Sequence, residues 1–97
     1  MSLQIRFDWD PKKARTNLEK HGVSFEEAVA VFGDPLARIH DDPSHSGAEM
    51  REIIVWHSSR SRLLLVSFVE REAEIRVISA REATRQERRD YEEATSS

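Results

Sequence analysis

Several features that would define a function class are missing from this chain of 97 residues. It has no cysteine, and none of its apolar runs approaches the roughly 20 residues that span a bilayer. Disulfides and thiolate metal sites are therefore excluded, and the composition fits a reducing compartment. The first ten residues, MSLQIRFDWD, lack the apolar core of a signal peptide. We therefore expect a cytoplasmic protein that does not contact the membrane.

Glycine is also scarce, and the catalytic motifs that depend on it are missing. The three glycines are Gly22, Gly33 and Gly47. Each stands at a predicted helix end or in a loop, so no glycine-rich phosphate loop and no nucleophile elbow is present. The metal-ligating side chains that cluster in sequence are His40, Asp41, Asp42 and His45. No regular spacing fixes them on one face, so a solvated loop is favoured over a metal site, and no metal or cofactor is predicted.

Charge is unevenly distributed along the chain. The whole sequence has 18 acidic and 15 basic residues, whereas residues 59–89 have eight basic and five acidic ones. Because phosphate binding is largely electrostatic, a nucleic-acid surface would lie on this second half. A surface of mixed charges that neutralise one another explains the same composition.

The apolar pattern predicts a single α+β domain over residues 1–97. Strands are predicted over residues 4–8, 36–40, 52–57, 62–70 and 74–80. Helices are predicted over residues 11–22, 25–32 and 84–94, and their capping residues are Asp10, Ser24 and Thr84. The order β-α-α-β-β-β-β-α favours a mainly antiparallel sheet packed by two N-terminal helices and a C-terminal helix. The very apolar strand 62–70 is expected to be covered on both faces.

The second half also combines arginine, acid and tyrosine, the side chains that a metal-independent ribonuclease would use. Glu70 and Arg71 end one predicted strand, and Tyr91 lies on the last helix. Strict alternation along the next strand puts Arg76 and Arg81 on opposite faces. RNA cleavage through the 2′-hydroxyl needs a base, an acid and a cation that stabilises the phosphorane. Cross-strand ion pairs and a solvated helix explain the same residues without catalysis.

Two further features leave alternatives open. Trp9 precedes Lys12 and Lys13 at a helix N-terminus, where an aromatic ring could stack on a base and lysine could hold a phosphate. Core packing is the commoner role of such a tryptophan and is favoured here. His57 ends a strand and could act as a base, but the sequence identifies no partner for it.

Three segments resemble, in order and spacing, the BrnT family of bacterial type II toxins. They are FDWDPKKARTNLEKHGVSFEEAVAVFGDPLA, SSRSRLLLVSFVERE and IRVISAREATRQERRDYEE, which together extend from about Phe7 to Glu93. The resemblance implies a RelE-like fold and a metal-independent endoribonuclease that inhibits translation. It also implies a BrnA-like ribbon-helix-helix antitoxin in a complex of two toxins and two antitoxins, which contacts DNA only through the antitoxin. Ser61 stands where the family commonly has glycine.

The resemblance also implies a set of site residues. Its catalytic candidates are Glu70, Arg71, Arg81 and Tyr91. Its RNA-binding candidates are Arg60 and Arg76, with Trp9, Lys12 and Lys13 at the margin. The charged last helix adds Arg85 and Arg88, which could meet RNA or the antitoxin. We expect Arg71 and Arg81 to be neighbours in space that hold the scissile phosphate, while Glu70 or Tyr91 transfers protons. The alternative is an inactive subunit that assembles a DNA-binding repressor with the antitoxin.

Overall fold

A five-stranded sheet forms the centre of the computed structural model, which describes residues 5–33, 38–41 and 50–95. Its strands are β1 (Arg6–Asp8), β2 (Arg38–Asp41), β3 (Glu52–His57), β4 (Leu63–Arg71) and β5 (Glu74–Glu82), in the spatial order β1-β5-β4-β3-β2. Only the β1–β5 pair is parallel. The helices are α1 (Pro11–His21), α2 (Phe25–Val29), a 3-10 turn (Ala30–Gly33) and α3 (Arg85–Thr95). The predicted α+β order is confirmed. No described helix is long and apolar enough to cross a membrane.

The helices begin where the sequence predicts because side-chain oxygens satisfy their first N–H groups. Asp10 accepts a hydrogen bond of 2.9 Å from the Lys12 amide, and Ser24 accepts one of 3.0 Å from the Glu27 amide. At α3 the capping box is complete, since Thr84 and Glu87 each accept from the other's amide. The carboxylate of Glu27 does not complete the box predicted at α2. It accepts from residues of the β3–β4 turn instead.

The core lies between α1, α2 and one face of the sheet. Leu64, Val66 and Phe68 of β4 are buried there together with Phe25 and Ala28 of α2. The prediction that both faces of β4 are covered holds only in part at the centre of the strand. There Leu65 and Ser67, which point to the other face, are only half-buried.

A β-bulge at Ile78 changes which side chains of β5 share a face. Ser79 pairs with Ser67, but Val77 pairs with the next residue of β4, Phe68, so one extra residue lies between them. Arg81 is therefore opposite Leu65 and Arg76 is opposite Val69. Because Leu65 and Val69 point to the same face, so do Arg76 and Arg81. The alternation predicted from the sequence, which separated them, is wrong.

The side chain of Asn17 replaces a missing strand beside β5. β1 pairs with residues Glu74 to Arg76, and no other strand in the described part of the chain pairs with the rest of that edge. The Asn17 amide donates to the Ala80 carbonyl at 2.7 Å and accepts from the Ala80 amide at 3.0 Å. Its Nδ2 also donates to the Val23 carbonyl at 2.9 Å. Asn17 thus fastens α1 to the sheet while all of its own polar groups are buried.

Candidate functional site

Four side chains gather at the end of the sheet where α3 begins, and we call them the α3 cluster: His57, Arg81, Glu87 and Tyr91. β3 ends at His57, and the Ala83 amide donates to the Leu63 carbonyl at 2.9 Å, so α3 starts beside the first residue of β4. The half-buried Tyr91 ring packs edge-on against the exposed His57 ring, with centroids 6.1 Å apart. Tyr91 also contacts Trp56 at 6.0 Å. The sequence could not pair His57 with Tyr91, because 34 positions separate them.

Arg81 and Glu87 form a two-point ion pair within the α3 cluster. The two Nη atoms of Arg81 donate to the two carboxylate oxygens of Glu87 at 2.7 and 2.8 Å. These bonds, together with that from the Thr84 amide, lower the pKa of Glu87 to about 2, although partial burial opposes the shift. The same carboxylate raises the pKa of Arg81. The Arg81 side chain keeps 41% exposure, so its charge is compensated but still reachable from solvent.

A buried ionic network holds this end of the sheet together. Glu27, whose side chain is only 5% exposed, accepts from the Ser58 hydroxyl at 2.6 Å and from Arg62 at 2.5 and 3.0 Å. Arg62 also donates to Glu82 at 3.1 Å and to the Gly22 carbonyl at 3.0 Å. The Arg62 hydrogen bonds lower the pKa of Glu27 against the opposing effect of burial.

The network fixes the position of the turn after β3 relative to α2 and the end of β5. This turn carries the exposed Arg60. Arg62 and Ser58 were not among the residues predicted from the sequence. The available signal was a glutamate, Glu27, between the apolar positions Phe25 and Ala28 of a helix that packs on the core.

Two of the predicted catalytic residues lie at the opposite end of the β4–β5 hairpin. Glu70 and Arg71 are exposed beside the hairpin turn, where Arg71 pairs with Glu74. Arg81 pairs with Leu65, which precedes Arg71 by six residues along β4. Six strand residues span about 20 Å, so Arg81 and Arg71 lie about that far apart along the sheet. The expectation that Arg71 and Arg81 are neighbours holding one phosphate is therefore wrong. In an antiparallel hairpin the residues that meet are equally far from the turn, and these two are not.

The predicted RNA-binding residues are spread over the molecule. Arg76 forms an ion pair with Asp8 on the neighbouring β1, and the partly buried Trp9 packs edge-on against Phe25 at 5.8 Å. The remaining candidates are the exposed Lys12 and Lys13 on α1, Arg60 in the turn after β3, and Arg85 and the half-buried Arg88 on α3. The structure thus brings Tyr91 and Arg81 to one end of the sheet and separates them from Glu70 and Arg71.

Within the described ranges, no group of three or more histidine, aspartate or glutamate side chains could hold a metal ion. Asp42 and His45 lie outside the described residues, as do the side chains of His40 and Asp41. The structure therefore does not test the sequence cluster to which these four residues belong.

A family model described as the ribonuclease toxin BrnT of a type II toxin-antitoxin system matches residues 9–87. The chain belongs to the BrnT family. It is therefore a member of a family of ribonuclease toxins of type II systems, as the sequence motifs predicted. The matched region includes Arg81 and Glu87 and ends before Tyr91.

The BrnT fold is also found in a solved structure. A crystal structure of the Brucella abortus ribonuclease toxin BrnT aligns with 84% of this chain and 100% of its own, with a TM-score of 0.60 and 23% sequence identity. At this identity the likeness shows the shared α+β fold alone. No match was found among curated proteins.

Proposed function

We propose that this chain is a RelE-like, metal-independent endoribonuclease that forms one domain over residues 1–97 and inhibits translation by cleaving RNA in the cytoplasm. Membership of a ribonuclease toxin family supports the reaction class. The observation that carries the proposal is the α3 cluster, which puts a guanidinium, a phenol and an imidazole at one end of the sheet. These groups supply a cation and two proton-transfer groups without a bound metal.

In this mechanism the 2′-hydroxyl attacks the adjacent phosphorus while His57 accepts its proton, and the bond to the 5′-oxygen breaks as Tyr91 donates a proton to that oxygen. An imidazole can accept a proton and a phenol can donate one in a reaction of this type. Tyr91 thus keeps the role expected from the sequence. His57 replaces Glu70, which lies at the other end of the hairpin.

Arg81 would stabilise the negative charge that develops on the phosphorane. Glu87 engages the two Nη atoms of its guanidinium, and one of these also donates to the Glu82 carbonyl at 3.3 Å. A guanidinium has five N–H groups, and no bond among the described residues engages Nε of Arg81, so that edge can bind a phosphate oxygen. The substrate can therefore bind Arg81 while Glu87 holds the side chain in position.

The test is an RNA-cleavage assay of the purified chain and its Tyr91→Phe variant, with Glu70→Gln as a control at the hairpin tip. Tyr91→Phe keeps the ring that contacts His57 and Trp56, so the fold is retained while the proton donor is lost. We expect cleavage to fall by about 100-fold or more in Tyr91→Phe and to be unchanged in Glu70→Gln.

Three outcomes would contradict parts of the proposal. Full activity of Tyr91→Phe would refute the assigned role of this residue. Loss of wild-type activity in EDTA would refute metal independence. A wild-type chain that cleaves no RNA, with or without ribosomes, would refute the activity itself.

We also propose a BrnA-like ribbon-helix-helix antitoxin as the partner, in a complex of two toxins and two antitoxins that binds DNA only through the antitoxin. The description of the family as part of a type II toxin-antitoxin system supports a protein antitoxin. The ion pair between Arg81 and Glu87 favours a second candidate function, an inactive subunit of that complex, because it compensates the charge that catalysis would use. Tight antitoxin binding without any RNA cleavage would identify this second function.

A further inference from the structure

A shallow groove separates α1 from β5 on the side where β1 ends, and we call it the α1–β5 groove. Its volume is about 300 Å³, and its described lining residues are Lys12, Lys13, Thr16, Asn17, Lys20, His21, Ile78 and Ser79. The groove exists because β1 pairs with β5 only as far as Arg76, beyond which α1 lies along the strand. The bulge at Ile78 forms part of its floor.

The helical repeat directs the basic side chains of α1 into this groove. Lys12, Thr16 and Lys20 follow one another at intervals of four residues, and Lys13 lies beside them on the same face. Arg15, which is also exposed on α1, does not line the groove. One side of the helix therefore presents three ammonium groups to the same space.

Within the described ranges this positive charge lacks an acidic partner, unlike that of three arginines on or beside the sheet. Arg62, Arg76 and Arg81 each form an ion pair with a carboxylate. By contrast, Lys12, Lys13 and Lys20 form no ion pair with any residue in the described ranges, and none of the described lining residues is acidic. Lys12 and Lys13 were among the predicted RNA-binding residues, and the structure adds Lys20 to the same groove.

We propose that the α1–β5 groove is a phosphate subsite for the RNA strand whose scissile phosphate lies at Arg81. Ser79 lines the groove and lies two residues before Arg81 on the same face of β5, a separation of about 7 Å. A strand bound at the α3 cluster therefore extends into the groove. There the lysines bind its phosphates, and the hydroxyls of Thr16 and Ser79 donate to phosphate oxygens.

An acidic protein segment could be attracted by the same lysines, but two observations favour RNA. Ser79 of its lining lies on the same face of β5 as Arg81, where the proposed function places the scissile phosphate. Its polar lining also combines hydroxyl and ammonium donors, which are typical phosphate ligands. The course of the RNA from Arg81 into the groove rests on the proposed function, so the test measures binding separately from cleavage.

The experiment measures binding of a single-stranded 2′-O-methyl RNA oligonucleotide, which cannot be cleaved through its 2′-hydroxyl. It compares wild type, Lys13→Gln/Lys20→Gln and the control Arg6→Gln/Arg15→Gln, which removes the same charge outside the groove. Each lost phosphate contact should weaken binding about fivefold at 0.1 M salt, and should reduce the slope of log affinity against log salt by about 0.7. We therefore expect the lysine variant to bind about five- to 25-fold more weakly than the control variant.

Equal affinities of the two double variants would overturn the proposal, whether or not the lysine variant also loses affinity for an antitoxin. All the substituted side chains are exposed, and unchanged circular dichroism and melting temperatures would show that both variants fold. The outcome is distinguishable from failure of the proposed function. If the groove lysines contribute to oligonucleotide binding but the chain cleaves no RNA, the subsite is supported and the proposed activity is refuted. If the chain cleaves RNA but its affinity for the oligonucleotide does not depend on the lysines, the activity is supported and the subsite is refuted.

Discussion

Replacing the buried Glu27 by glutamine should destabilise the fold far more than the same replacement one residue earlier. Glutamine has nearly the shape of glutamate, so Glu27→Gln removes the negative charge without opening a cavity. The partly buried guanidinium of Arg62, whose side chain is 24% exposed, then loses its main counter-ion. Glu26, the neighbour on α2, is exposed and provides the matched control Glu26→Gln.

The expected loss follows from the contacts that the Glu27 carboxylate makes. Breaking a buried ion pair by removing one partner costs about 3–5 kcal/mol. Arg62 keeps some exposure and its bonds to Glu82 and the Gly22 carbonyl, so we take the lower end, about 3 kcal/mol. For a domain of this size that corresponds to a fall in melting temperature of about 12–24 °C. The control should change stability by less than about 0.5 kcal/mol.

Thermal and urea unfolding, followed by circular dichroism at neutral pH, would measure both variants. The pKa of Glu27 is lowered in the folded state, so its contribution is present above its unfolded pKa and is lost as the pH falls through the lowered value. The difference between wild type and Glu27→Gln should therefore shrink in acid. If Glu27→Gln and Glu26→Gln unfolded at the same temperature, the buried network would not stabilise this end of the sheet.

Two further predictions concern the attachment of α1 and of α3. Asn17→Ala should lower the free energy of unfolding by about 2–4 kcal/mol, because it removes three buried hydrogen bonds and leaves the Ala80 backbone groups without that partner. Hydrogen exchange of the Ala80 amide would report the loss, and unchanged protection would contradict it. Glu87→Gln should reduce stability by about 0.5–1 kcal/mol, since the partly exposed ion pair with Arg81 is lost. Because the pKa of Glu87 is about 2, below its ordinary value near 4.5, this difference should be full above about pH 4.5 and disappear towards pH 2 in acid unfolding curves. A difference that stayed constant over this range would refute the ion pair.

The element order was predictable because its signals are local. Capping residues and apolar periodicity placed α1, α3 and the strands within about two residues of their observed ends, and the left-handed Gly22, with φ of 67°, ended α1 as expected. The bulge at Ile78 was not predictable in this way. It depends on which residues of β4 and β5 face each other, and a single extra residue exchanges the faces of everything beyond it.

The sequence supplied candidate site residues but not their arrangement in space. Arg81 and Tyr91 do lie at one end of the sheet, but Arg71 does not, because the hairpin register separates it from them. His57 acquires Tyr91 as a neighbour only through tertiary packing. The partners of Glu27 were hidden for a related reason. Its spacing from Ser24 suggested a local capping box, whereas its carboxylate bonds to residues more than 30 positions away.

The hydrogen bonds between the Asn17 side chain and the Ala80 backbone affect how the chain behaves in concentrated solution. Exposed edges of long strands are the places where sheets of separate molecules join and aggregate. β5 is nine residues long, and among the described residues a strand pairs with three of them on that side, yet Asn17 occupies the backbone groups of Ala80 further along. The outermost strands in the described part of the sheet have only three and four residues. A second copy of the chain therefore meets short edges and a side-chain amide in place of an open strand, which disfavours edge-to-edge aggregation through β5.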